Sequence, residues 1–172
     1  MSSDLVVRTA DSISTLFTGL NRSSPVDWAS NYPERGYHEQ RYHLAYAYKA
    51  AVEIYACRVI GGLPSGPRYL SESCISGLVD SAITHLASIS PQDAPFKGLI
   101  WPAFVTGAEA QTTPQRTAVM EIFGHLWNIW RSRNVKSATE VLGSIWARDS
   151  SGSVRRSWIN DSYEKGEDWL FI

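Results

Sequence analysis

Leu44, Ala45, Tyr48, Ala51, Val52, Tyr55, Ala56 and Val59 recur at helical spacing, and Gly61-Gly62-Leu63-Pro64 ends the run. Apolar positions three and four apart make one stripe on a helix, and glycine followed by proline stops it. A second stripe, Leu70, Cys74, Leu78, Val79, Ala82, Ile83 and Leu86, predicts another helix from near Tyr69 to Ser88. Each stripe must be covered, and a Gly/Pro loop joins them, so the pair should pack as an antiparallel hairpin. No segment alternates apolar and polar residues long enough to make a strand. The fold class is all-α: antiparallel helical hairpins in a bundle or array, without significant sheet.

The remaining punctuation divides the chain into an N-terminal segment and loop, 1–37, and a helical body, 38–172. Residues 21–37 carry Ser23, Ser24, Pro25, Asn31, Pro33 and Gly36 and read as loop. After breaks at Ser90-Pro91 and Ala94-Pro95, the apolar run Leu99 to Val105 predicts a short buried helix from Trp101 or Pro102 to Ala110. Proline suits a helix's first turn. Thr113 followed by Pro114 reads as an N-cap and first helical residue, opening a helix through Val119, Ile122, Phe123, Leu126, Trp127 and Trp130. Asn134 is the expected cap of the next helix, which buries Val135, Ala138, Val141, Leu142, Ile145 and Trp146. Ser150 to Ser153 reads as a flexible loop, a last helical turn carries Trp158, and the apolar terminus around Trp169 should dock on the body.

With 172 residues, 44% hydrophobic and 19% charged, the chain is one domain's worth and can bury a core. A net charge of -1 gives no global electrostatic reason to sit on nucleic acid. The sequence has no apolar run of membrane-spanning length and no apolar leader in Met1 to Leu20, so an intracellular protein without a membrane partner is expected. The sequons at Asn21 and Asn160 are then chance matches. Cys57 and Cys74 are expected as reduced, packed thiols.

Motifs that carry chemistry do not assemble. His38 and His43 lie five apart, about 140° around a helix, where metal ligands need a spacing of four. His85 and His125 stand alone in helical segments and read as structural. Ser65 lacks the glycines of a nucleophile elbow, and Gly61-Gly62 lacks a following Gly-Lys. No catalytic residue, no cofactor and no stoichiometric zinc are therefore expected, and the chain does not read as an enzyme. Glu109 stands in an apolar segment and needs a partner if it is buried. Arg116, seven residues on, is the expected one, making a structural ion pair across the turn. Arg131, Arg133, Lys136, Arg148, Arg155 and Arg156 give the C-terminal third a basic bias, read as helix capping and solvation.

The order of these segments carries a resemblance. The stretch Leu99 to Ala110, with Trp101, Pro102, Phe104 and Gly107 ahead of Glu109, is followed by Arg116. Asn134-Val135-Lys136-Ser137-Ala138, then Val141-Leu142 through Trp146, then Trp158 and the tail containing Trp169 complete the series. The series resembles the second type of fungal-specific transcription factor domain, the regulatory region of fungal zinc-cluster (Zn2Cys6) regulators. The likeness implies a nuclear role in regulating transcription, through protein partners, self-association or a small-molecule effector of unknown identity. The family's zinc sits in a six-cysteine DNA-binding module. This chain has only Cys57 and Cys74, so the resemblance implies DNA contact only through a module it lacks, and the chain is expected to be a C-terminal remnant.

Two other function classes compare poorly. A helical peptide-binding scaffold shares the hairpins but would show a repeat of fixed period, and a small-molecule enzyme would show a nucleophile and base. A remnant should also expose apolar surface and associate, with Tyr42, Tyr46, Tyr48 and Tyr55 the expected contact stripe.

Overall fold

The computed structural model describes residues 24–31, 38–61, 72–150 and 158–159, together with 15 and 19. Its elements are α1 (Pro25–Ser30), α2 (His38–Gly61), α3 (Glu72–Ala87), a 3-10 helix (Ala94–Leu99), α4 (Ile100–Glu109), α5 (Thr113–Trp130) and α6 (Arg133–Ser150). Among the described residues there is no strand, and the fold is all-α.

The α2–α3 hairpin forms as the two stripes demand, but α2 is turned from the phase its sequence suggests. Ala47, Ala50, Ala51, Ile54 and Cys57 are its buried face, whereas Leu44 and Tyr55 only pack against the core and Tyr48 is exposed. The physical reason is that α2 has apolar residues on several sides and meets α1, α3 and α4 at once. Ala47, Ala50 and Ala51 face the core, where small side chains let helices approach closely. On α3, Ile75, Val79, Ala82 and Leu86 are buried. Cys57 is buried as expected; Cys74 is exposed, contrary to expectation.

Helix α4 is the hub. It packs on α2, α3, α5 and α6, and residues 102–110 are all buried. A helix apolar all round belongs in the middle of a fold. Pro102 lies in its first turn, where no intrahelical N–H bond is lost. The buried Thr106 hydroxyl donates to the Pro102 carbonyl at 2.7 Å, so it is not left orphaned. Trp158, in a helical pair with Ile159, is buried edge-on against Phe104 at 5.5 Å.

Three boundaries differ from the sequence reading. The supposed loop 21–37 contains α1, whose first turn is closed by Ser24 Oγ accepting from the Asp27 N–H at 3.2 Å. Thr112, not Thr113, caps α5, in a reciprocal capping box with Gln115. Ser132, not Asn134, sits at the start of α6: its Oγ accepts from the Asn134 N–H at 3.2 Å. The Ser151–Ser153 loop, Leu70 and the Trp169 tail lie outside the described residues.

Candidate functional site

The C-terminal end of α4 gathers the polar residues that the sequence singled out. Glu109 is the last residue of α4 and is 2% exposed. Its carboxylate accepts a forked pair from Arg58, Nε to Oε1 at 2.8 Å and Nη2 to Oε2 at 2.6 Å. Trp158 Nε1 donates to the same Oε1 at 2.8 Å. Charge-assisted, bidentate bonds of this kind are what allow a carboxylate to be buried. The expected Glu109–Arg116 pair is therefore corrected. Arg58, from the last turn of α2, takes Glu109, while Arg116 turns back to the end of α4.

Arg116 Nε donates to the Ala110 carbonyl at 3.1 Å, and Nη2 reaches Asp149 Oδ2 at 3.4 Å. Its guanidinium lies 5.5 Å from the centre of the Trp146 ring. Trp146 Nε1 in turn donates to the Gly107 carbonyl at 2.9 Å. Carbonyls at a helix C-terminus run short of intrahelical donors, and here side chains of α5 and α6 add to the Ala110 N–H that reaches Gly107 at 3.1 Å. This end of α4 is a lock between helices: Arg58, Arg116, Trp146 and Trp158 all donate to acceptors at its last turn or just beyond it.

A second cluster sits where α2 crosses α3. His43, weighed in the sequence with His38, and the solitary His85 meet with Nδ1 atoms 2.9 Å apart, so one ring donates and the other accepts. Tyr46 stacks on His85 with ring centres 4.8 Å apart, and Tyr42 packs on both. Burial, then the neighbouring His43, push His85 below the ordinary histidine value.

The third feature is an apolar groove of about 460 Å³ between α1, α2 and the 3-10 helix. Pro25 and Trp28 form one wall, Leu44, Ala45, Tyr48 and Val52 the other, with Gly98 between and Ser24 and Lys49 as polar lining. Tyr48 is fixed at both ends: its hydroxyl donates to the Gly98 carbonyl at 2.7 Å and its ring stacks on Trp101 at 5.8 Å. The Ser24 hydroxyl oxygen serves as the α1 cap. Lys49 makes no hydrogen bond or ion pair among the described residues. Burial raises the Glu53 carboxyl on the same helix, and Lys49 opposes that shift. Elsewhere Met120, Trp127, Ile129 and Trp130 form exposed apolar surface on α5.

A family model described as fungal specific transcription factor domain matches residues 8–172. The chain belongs to this family. It is similar to the acriflavine sensitivity control protein acr-2 of Neurospora crassa, 34% identical over 73 residues, 40% of this chain and 12% of that protein. The chain thus covers a small part of that relative's length. No solved structure matches it.

In this fungal transcription factor domain, Pro102, Phe104 and Gly107 are buried on α4, Trp101 is half-buried beside Tyr48, and Trp146 caps the Gly107 carbonyl. Asn134 is exposed in the first turn of α6, and Trp169 is outside the described residues. Arg58, Lys49 and the His43–His85 pair escaped the sequence reading. Arg58 had a signal, a cation set between Cys57 and Val59 in the last turn of α2. Among the described residues no set of three or more His, Cys, Asp or Glu is placed to hold a metal ion. No helix among them is long and apolar enough to cross a membrane.

Proposed function

We propose that this transcription-regulatory domain acts in the nucleus by binding, with no catalytic step and no cofactor. The match of the family model to residues 8–172 carries that reading. The domain's contacts are with protein, through surfaces such as the exposed Trp127, Ile129 and Trp130 of α5 and the groove beside α1. Large exposed aromatics are the residues that anchor protein interfaces. Residues 38–172 form the regulatory body, and the segment before it supplies one wall of the groove. DNA contact belongs to a separate zinc-cluster module.

The test is to fuse the chain to an unrelated DNA-binding module and measure a fungal reporter gene carrying that module's site. A change in transcription relative to the module alone, reduced by Trp127→Ala or Trp130→Ala with the fusion protein at equal level, supports the reading. A fusion that accumulates in the nucleus and leaves the reporter unchanged overturns it.

A further inference from the structure

We propose that the groove between α1 and α2 is a binding site for a small aromatic monoanion, such as an aryl carboxylate, whose charged group meets Lys49. This goes beyond the regulatory reading and does not depend on it.

The size sets the class first. About 460 Å³ falls within the range of small-molecule sites, roughly 300–1,000 Å³. The lining sets the body of the ligand. Trp28, Leu44, Tyr48 and Val52 offer apolar and aromatic surface, and Tyr48 is held rigid by Gly98 and Trp101. A wall fixed before binding loses little entropy when a flat ring settles on it.

The polar groups then set the head. The Tyr48 hydroxyl donates to the Gly98 carbonyl, and Ser24 Oγ holds the first turn of α1. A sugar or a polyol, with many hydroxyls to satisfy, would find only the Ser24 O–H and the Tyr48 lone pairs left over in an otherwise apolar lining. Lys49 differs: it lines the groove and makes no hydrogen bond or ion pair among the described residues, its charge being felt only through space by Glu53, one turn on along α2. A cationic ligand would be repelled by the Lys49 charge, and a neutral apolar one would give that charge nothing to meet. An apolar body with one anionic group satisfies both parts of the lining.

The experiment is titration calorimetry of the full chain with 2-naphthoate, 2-naphthamide and 2-naphthylmethylammonium. Saturable one-to-one binding of naphthoate is expected, with the amide weaker by about tenfold, the usual worth of a charge-assisted bond, and the ammonium weaker still. Lys49→Gln should remove the preference for naphthoate over the amide, and Lys49→Arg should keep it. Val52→Trp, checked for an unchanged helical melt, should block all three; if it unfolds, Ala45→Phe replaces it. Absence of saturable naphthoate binding, equal affinity for acid and amide in the wild type, or an undiminished preference in Lys49→Gln each overturns the proposal.

Discussion

Gly107 has no room for a side chain. A Cβ there would stand 2.8 Å from Val119 Cγ1 and 3.0 and 3.1 Å from the methyls of Leu142. Gly107→Ala should therefore destabilise the fold by about 1–3 kcal/mol, despite the better helix propensity of alanine. Urea unfolding reads this, and an unchanged midpoint would show that Val119 and Leu142 can yield. Glu109 makes a sharper contrast. Removing Arg58 leaves a buried carboxylate without its forked partner. Fully buried pairs lose about 3–5 kcal/mol in this way, and the 19% exposure of the Arg58 side chain lowers the expectation to about 2–4 kcal/mol. Arg116, at 3.4 Å from a partly buried Asp149 and bonded to the Ala110 carbonyl, should cost about 1–2 kcal/mol on truncation to alanine. Double-mutant cycles are expected to give strong coupling for Arg58 with Glu109 and nearly none for Arg116 with Glu109. The two thiols differ likewise. Burial pushes the Cys57 thiol up to about 11, while Cys74 is exposed. A thiol reagent on the native chain should modify Cys74 first and reach Cys57 only on unfolding. At this scale the sequence showed which residues were unusual but not whom they met. A carboxylate in an apolar run announces itself; its partner lies 51 positions upstream, brought near only by the packing of α2 on α4.

Helix ends were legible where a side chain and the backbone agree on one geometry. Ser24-Pro25 and Thr113-Pro114 carry similar punctuation, yet only the second was read as a helix start, because the first stands among Pro, Gly and Asn that mark loops. The structure caps both helices, with the α5 cap one residue earlier than the proline suggested. Thr112→Ala should cost about 1 kcal/mol and Thr113→Ala only a few tenths. Thermal melts of the two variants separate these positions, and equal losses would return the cap to Thr113. The other end of α5 is strained: Arg131 has a φ of 35°, in the left-handed region. Arg131→Gly is expected to raise stability, by up to about 1 kcal/mol, since glycine enters that region without a Cβ clash. The phase of α2 was less legible than either end. Periodicity assumes one buried face, and α2 has three helical neighbours.

Across the whole molecule, the all-helical class and the α2–α3 hairpin followed from periodicity, while the assembly around α4 did not. A short apolar segment predicts burial without saying which helices surround it. The crossing of α2 and α3 gives the fold a pH dependence. Burial and His43 hold His85 below its unfolded value of about 6.5, so the unfolded chain binds the proton more readily. Stability from His85 is complete above that unfolded value and is lost as pH falls through the folded one. Melting followed from about pH 7 to about pH 5 should show a decline that His85→Gln flattens. An identical slope in the variant would assign the decline to other groups.

The route of the chain through the Glu109 lock also has a bearing on synthesis. Arg58 leaves the ribosome before Glu109, and Trp158 leaves well after it. Until that indole emerges, Glu109 Oε1 lacks one of its donors and the edge of Phe104 lacks its ring partner. The nascent helices can pair as they appear, and α4 gains its last polar and aromatic partners only with Trp158. The last touches on α4 thus arrive with the last stretch of the domain, and a chain halted short of Trp158 carries a Glu109 one donor poorer and a Phe104 bare along one edge.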